Sequence, residues 1–172
     1  TEKNDGKKLV YFDWCPTVFD QKQQHYCVNI IFPVEGVQRL LDRNDPIVTG
    51  IYYGRKPPYH EPIIYSDLKV YRKTSEAINY GRITKDYFQV AGCGMGFCLI
   101  RKEAIKQIAK KWPDPFNTIA GMGEDLSFCY RAGLLGIPVY ADATIDLKHK
   151  ENGSKNQMTF KPTVADLTAH ND

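Results

Sequence analysis

One continuous stretch decides the fold of this chain: residues 88–112, which read FQVAGCGMGFCLIRKEAIKQIAKKW. Residues 88–91 and 97–100 are β-prone runs, and residues 92–96 between them hold three glycines in five positions. Four apolar residues then recur at helical spacing: Ile105, Ile108, Ala109 and Trp112. A strand followed directly by an amphipathic helix predicts an α/β fold, in which a mixed sheet is flanked by helices.

The same kinds of pattern extend outward from this stretch in both directions. Further strands are predicted at residues 9–12, 26–32, 47–53, 138–141 and 144–147, with short edge-like strands at 63–65 and 68–71. Pro33 opens a predicted helix, and apolar residues at helical spacing predict another helix from Glu124 to about Gly133. No repeat or linker interrupts the chain, so we expect residues 1–172 to form a single domain.

The composition excludes several classes of protein. The net charge of +3 arises from 23 basic and 20 acidic residues spread along the chain, unlike the clustered basic surface of a nucleic-acid-binding protein. The five cysteines contain no CxxC pair, which disfavours both a disulfide framework and a structural zinc site. No apolar run approaches the roughly 20 residues of a membrane span. We therefore expect a soluble, cytoplasmic protein that binds no nucleic acid and does not span a membrane.

Two adjacent carboxylates carry the strongest chemical signal. Glu124 and Asp125 follow Gly123 and fall in the first turn of a predicted helix, where the glycine lets a ligand approach the backbone closely. Sugar transfer needs a base for the acceptor hydroxyl and positive charge on the departing diphosphate, often a divalent cation, and carboxylates can serve either need. Glu124 and Asp125 are the candidate catalytic residues, with Asp125 as the candidate base. The alternative is that both acids only complement the helix dipole, which stabilises a helix by roughly 0.3 to 1 kcal/mol.

Other residues could contact a substrate or a metal ion. Arg55 could bind a phosphate or an acidic sugar, and Tyr53 offers a flat face for a sugar ring. Gly92 and Gly94 predict either close approach to a ligand or a structural turn. His149 follows a β-prone run and could bind a metal ion through a neutral imidazole, although a histidine between two lysines is more often a surface residue.

Taken together, residues 47–55, 90–102 and 123–129, followed by His149, resemble the GT-A glycosyltransferases of bacteria and their viruses. The resemblance covers roughly residues 30–151. It implies a nucleotide-diphospho-sugar transferase fold and inverting transfer from a nucleotide-sugar donor to a hydroxyl of a carbohydrate acceptor, with Mn²⁺ or Mg²⁺ as cofactor. By this resemblance Asp125 matches the catalytic base and His149 matches the late metal ligand.

The chain departs from this pattern at two points. The acidic metal-binding triplet of the family should end just before Ile30, where this chain has Asn29, and an amide binds a hard cation less well than a carboxylate. Only 29 residues precede Ile30, so we expect a shortened donor half. Two alternatives stay open: a non-catalytic carbohydrate-binding or assembly protein on the same scaffold, and a protein whose tyrosine-rich surface binds only a protein partner.

Overall fold

The computed structural model describes residues 8–11, 30–33, 35–54 and 61–149, which hold ten strands and three helices. The strands are β1 (Lys8–Tyr11), β2 (Ile30–Ile31), β3 (Ile47–Gly50), β4 (Ile64–Val70), β5 (Ser75–Asn79), β6 (Tyr87–Val90), β7 (Gly92–Cys93), β8 (Cys98–Arg101), β9 (Val139–Asp142) and β10 (Lys148–His149). The helices are α1 (Gly36–Asp42), α2 (Lys102–Lys111) and α3 (Glu124–Leu134). None of the helices in these ranges is long and apolar enough to cross a membrane.

A five-stranded mixed sheet forms the centre of the fold, in the order β1-β8-β3-β9-β6. β3 and β9 are parallel, whereas the other neighbouring pairs are antiparallel. A three-stranded sheet, β5-β4-β7, and a two-stranded sheet, β10-β2, accompany it. The predicted α/β fold with a mixed sheet and helices is therefore confirmed at this level.

The two faces of the central sheet support separate hydrophobic cores, because successive side chains of a strand point to opposite faces. Ile47 and Ile100 pack with Ile108 of α2 and Phe128 of α3 in the larger core. The neighbouring strand residues Val48 and Leu99 instead pack with Leu40 of α1 in the smaller one. Helices therefore cover both faces, and β3 and β8 contribute alternate residues to the two sides.

Some predicted strands have different limits in the structure. The strand predicted at 47–53 ends at Gly50, because the chain then leaves the sheet and the Tyr52 carbonyl accepts the Ile63 amide at 2.9 Å. The two short runs predicted at 63–65 and 68–71 belong to the single strand β4, and β5 was not predicted. Residues 26–29 of the second predicted strand lie outside the described part of the chain.

The prediction of a strand at residues 144–147 is wrong. The Asp142 carboxylate accepts hydrogen bonds from both the amide and the hydroxyl of Thr144, which bends the chain into a turn directly after β9. Arg43, at the end of α1, donates to the same buried carboxylate at 2.9 Å. The apolar residues Ile145 and Leu147 are still buried, but in the smaller core from an irregular segment.

Candidate functional site

Several of the candidate site residues that the structure describes lie near one edge of the central sheet. Because β3 and β9 are parallel, their carboxyl ends at Gly50 and Asp142 lie side by side at this edge. The segment after β3, with Tyr52 and Tyr53, begins at this edge, and the glycine-rich segment ends there, where Cys98 at the start of β8 pairs with Thr49. The crevice outside the carboxyl ends of strands is the usual ligand position in open α/β sheets.

A tight turn directs the start of α3 toward this edge. Ile119 and Met122 form an isolated bridge around Ala120 and Gly121, and both central residues have positive φ. The buried hydroxyl of Ser127 accepts the Ile119 amide at 3.0 Å and donates to the Met122 carbonyl at 3.1 Å. The turn is thus held by a residue of the helix that it precedes.

The two predicted acids point to different environments. Gly123 is the N-terminal cap residue of α3, and Glu124 and Asp125 occupy the first turn, as the helical spacing predicted. Glu124 is exposed, whereas Asp125 is partly buried and its Oδ2 accepts the Met95 amide at 3.0 Å. Asp125 therefore joins the start of α3 to the glycine-rich segment, although the two lie 30 residues apart in sequence.

The amides of residues 94–96 in the glycine-rich segment all donate hydrogen bonds within the protein. Three consecutive amides donate to internal acceptors: Gly94 to the Ile63 carbonyl (3.1 Å), Met95 to the Asp125 carboxylate (3.0 Å) and Gly96 to the Tyr52 hydroxyl (2.9 Å). These amides do not form the open cradle of donors that binds phosphate at a glycine-rich loop.

Close packing alone accounts for the glycines of this segment. A Cβ on Gly92 would lie 2.9 Å from Leu68 and 3.0 Å from Leu126. A Cβ on Gly94 would overlap the Tyr52 hydroxyl and lie 2.7 Å from Ile63. Both glycines are buried, and their assignment to substrate binding stays a prediction.

Tyr52 belongs to the 47–55 stretch that the sequence singled out, and it is a buried partner of the candidate site. The residue is 6% exposed, and its hydroxyl accepts the Gly96 amide. Burial raises the pKa of the Tyr52 phenol far above its usual value, and the nearby Asp125 carboxylate adds to this effect. The phenol therefore stays protonated and neutral at any physiological pH.

Tyr65 is a neighbour of the candidate site that sequence reasoning missed. It pairs with Gly92 across β4 and β7, and the side chains of paired residues lie on the same face. Since a Cβ on Gly92 would meet Leu126 of α3, the half-buried Tyr65 ring lies on the side where α3 begins. Burial raises the pKa of Tyr65, and the carboxylates of Glu61 and Asp125 raise it further.

The described residues on either side of residues 55–60 are paired with each other. Tyr53 forms a bridge with Pro62, and the Gly54 amide donates to the Glu61 carbonyl at 3.1 Å. Tyr53 is half-buried, and burial raises the pKa of its phenol. Arg55 itself lies outside the described residues, so its predicted contact with a substrate stays a prediction.

The predicted metal ligands can be located only in part. Asn29 lies outside the described residues, but its neighbour Ile30 pairs with His149 in the β2–β10 sheet. A Cβ on Gly96 would lie 3.0 Å from Ile30, so the backbone of His149 runs near the glycine-rich segment. Among the described side chains, no group of three His, Cys, Asp or Glu residues could hold a metal ion.

Two cavities lie away from the predicted base. One of about 240 Å³ opens between α3 and strands β4 and β6, with Leu68, Tyr130 and Leu134 in its wall. The other, of about 430 Å³, lies at the opposite edge of the sheet and is lined by residues that include Arg101 and Gly136. Asp125 lines neither of them, so neither cavity is a substrate cleft at the predicted base.

Comparisons with known proteins leave the function of the chain open. No protein-family model and no curated protein matches it. Among solved structures, the chain is similar to the one described as the crystal structure of A197 from STIV, with 20% sequence identity and a TM-score of 0.47. The similarity covers 72% of this chain and 55% of that one, so the chain spans about half the length of that protein. A likeness at this level identifies neither a family nor an activity.

Proposed function

We propose that this chain is a glycosyltransferase-like domain on a GT-A-like scaffold, which moves a sugar from a nucleotide-sugar donor to a hydroxyl of a carbohydrate acceptor. The observation that carries the proposal is the hydrogen bond from the Met95 amide to Asp125. It holds the predicted base in one orientation at the carboxyl edge of the sheet. Fixed orientation is what a general base needs, because it must meet the acceptor hydroxyl in a defined geometry.

In the proposed reaction, Asp125 removes the proton of the acceptor hydroxyl while the hydroxyl oxygen attacks the anomeric carbon of the donor sugar. The bond from that carbon to the diphosphate oxygen breaks on the opposite face, and the nucleoside diphosphate leaves with the electron pair. The configuration at the anomeric carbon is therefore inverted. The buried, neutral phenol of Tyr52 accepts a hydrogen bond from the Gly96 amide. This contact helps to fix the backbone of Met95, the preceding residue, whose amide binds Asp125.

Two tyrosines of the described residues and the basic residue Arg55 are the proposed substrate contacts. Tyr53 and Tyr65 each present a half-buried ring, and sugar rings pack well on such flat surfaces. Arg55 follows directly after Tyr53 and Gly54 and would bind the donor phosphate. Gly123 would allow close approach, since no atom lies within 4 Å of the position that a side chain there would occupy.

The cofactor and the compartment are part of the proposal. Mn²⁺ or Mg²⁺ would neutralise charge on the departing diphosphate, with His149 as one ligand. The described side chains supply no complete ligand set, so no step above depends on the ion. The described cysteines are free thiols, which fits the reducing cytoplasm.

A second candidate function is carbohydrate binding or assembly without turnover on the same scaffold. The observation that favours it is the same hydrogen bond, because a carboxylate that joins α3 to the glycine-rich segment has a structural reason to be present. Asn29 stands where the family has an acidic residue of its metal-binding triplet, and this difference also favours a protein without turnover.

Asp125→Asn separates these candidates, because an asparagine oxygen can still accept the Met95 amide while the amide group cannot act as a base. Nucleotide-sugar hydrolysis and transfer are measured with Mn²⁺, with Mg²⁺ and with a chelator. We expect the variant to lose at least about 100-fold in turnover with an unchanged melting temperature. Glu124→Gln is the matched control, and this exposed neighbour should retain activity.

The outcomes assign the function. Wild-type protein that binds sugars but turns over none of the donors supports the non-catalytic candidate. Full activity of Asp125→Asn removes Asp125 from the role of base. Equal losses in Asp125→Asn and Glu124→Gln would indicate a general effect of negative charge at the start of α3.

A further inference from the structure

Helix α2 presents a row of positive charge to solvent. Lys102, Lys106 and Lys110 are all exposed and follow one another at intervals of four residues. At about 100° per residue, each successive lysine is rotated by about 40°, and it lies about 6 Å further along the axis. The three ammonium groups therefore share one side of the helix, called here the lysine face.

This helix carries an excess of positive charge. Its ten residues contain four lysines and one glutamate, so its net charge is 4 − 1 = +3, which equals the formal net charge of all 172 residues. The ion pairs of the described residues involve none of these lysines. Like charges four residues apart destabilise a helix by roughly 0.2–0.5 kcal/mol per pair, so the arrangement has a cost that packing does not explain.

The opposite side of α2 is fixed in the larger core. Ala104 and Ile108 are buried there, and the helix packs against β8 and α3. The helix cannot roll its apolar side outward without exposing this core. A partner therefore meets the lysine side chains of a rigid, convex surface, and recognition is by charge.

We propose that the lysine face of α2 binds an anionic lipid surface. The exposed cations of the helix are all lysines, which act as strongly hydrated point charges and lack the planar fork with which arginine grips individual phosphates. A convex row of point charges suits a continuous layer of anionic headgroups better than it suits a shaped groove. This inference is independent of the proposed sugar transfer.

Vesicle sedimentation of the full chain tests the proposal. Vesicles of phosphatidylcholine alone are compared with vesicles that also contain phosphatidylserine, at low and at physiological salt. We expect binding only to the anionic vesicles, weakened by salt. Each lysine near an anionic surface strengthens binding by about fivefold, so Lys102→Gln, Lys106→Gln and Lys110→Gln combined should lower the partition coefficient on the order of 100-fold.

A matched control removes the same charge elsewhere: Lys69→Gln, Lys73→Gln and Lys85→Gln combined, all at exposed positions. This variant should keep most of the binding. Glutamine preserves helix propensity, and equal melting temperatures of both triple variants exclude unfolding.

Three results would overturn the inference. The first is wild-type protein without preference for anionic vesicles, and the second is an equal loss of binding in both triple variants. The third is tighter binding to a single-stranded oligonucleotide than to anionic vesicles at the same ionic strength, which would identify a nucleic acid as the partner.

Discussion

Two glycine-rich segments of this protein look alike in sequence and serve opposite purposes in the structure. Residues 92–96 precede β8 and residues 121–123 precede α3. In the first segment, a side chain on Gly92 or Gly94 would collide with neighbouring residues. In the second, the positions next to Gly121 and Gly123 are open. Glycine thus allows dense packing in the first segment, and a tight turn with an open surface in the second.

The difference matters because the two segments meet at the candidate site. The Met95 amide of the packed segment binds Asp125, two residues after the open segment. The packed segment acts as a rigid platform, and the open segment is the accessible part. Substitutions in the two segments should therefore have different effects on stability and on ligand binding.

Gly94→Ala should have the largest effect on stability. The added methyl group would overlap the hydroxyl of buried Tyr52 and crowd Ile63, so we expect a loss of about 3 kcal/mol, the upper range for overpacking. Urea unfolding measures it. Gly133→Ala is the matched control, because nothing lies within 4 Å of its Cβ position in α3, and it should stabilise by about 0.5–1 kcal/mol. Similar changes in the free energy of unfolding for both variants would contradict the proposed difference between packed and open glycine positions.

Asp125→Ala should rank second, because it breaks the link between the segments. The Met95 amide loses its acceptor, at a cost of about 2 kcal/mol in the free energy of unfolding. Asp125→Asn should cost much less, since its side-chain oxygen can accept the same hydrogen bond. Chemical denaturation of both variants measures the difference, and equal losses would mean that the hydrogen bond is unimportant.

Ala120→Gly should have a smaller, stabilising effect. Ala120 has φ of 49°, a left-handed conformation that costs an L-residue about 1–2 kcal/mol, and glycine adopts it without strain. The greater freedom of glycine in the unfolded chain offsets part of the gain, so we expect a rise of up to about 1 kcal/mol. Thermal unfolding measures the change, and a lower melting temperature would show that the turn is not strained.

Gly123→Ser should change stability least. Serine is the better cap residue by only a few tenths of a kcal/mol, and the backbone of Gly123 is already extended, with ψ of 161°. If Gly123 contacts a substrate as proposed, the added side chain should weaken nucleotide-sugar binding with no loss of stability. Calorimetric titration measures the affinity, and unchanged binding would remove Gly123 from the substrate site.

Local patterns predicted the helices and several strands well. The prediction for α2 was residues 102–112, and the helix covers Lys102–Lys111. Glu124 and Asp125 do begin α3. We could predict α2 and α3 because the spacing of their apolar residues, and the glycines or prolines at their ends, lie within about a dozen residues.

The two errors in the strands have different causes, one a pairing between strands and the other a local side-chain hydrogen bond. β5 has alternating half-buried and exposed residues and forms by pairing with β4, so its own sequence carries a weak signal. Residues 144–147 have the apolar pattern of a strand, but the Asp142 carboxylate captures Thr144 and turns the chain. A side-chain hydrogen bond overrode the backbone propensity there.

Some residues of the candidate site could be predicted from the sequence, and others could not. Glu124, Asp125 and Gly123 could be singled out together because they are adjacent in sequence. Tyr65 could not, since its proximity to Asp125 depends on its pairing with Gly92, 27 positions along the chain. In sequence, Tyr65 has no feature that separates it from the other tyrosines.

The sequence by itself determined which segments become helices and which acids begin α3, because helical spacing and capping act over a few neighbouring residues. Only the tertiary structure decided what the glycines do and which residues surround Asp125. Those properties depend on contacts such as that of Tyr52 with Gly96, 44 residues apart. Such contacts form only when the sheet brings distant segments together, and no local pattern encodes them.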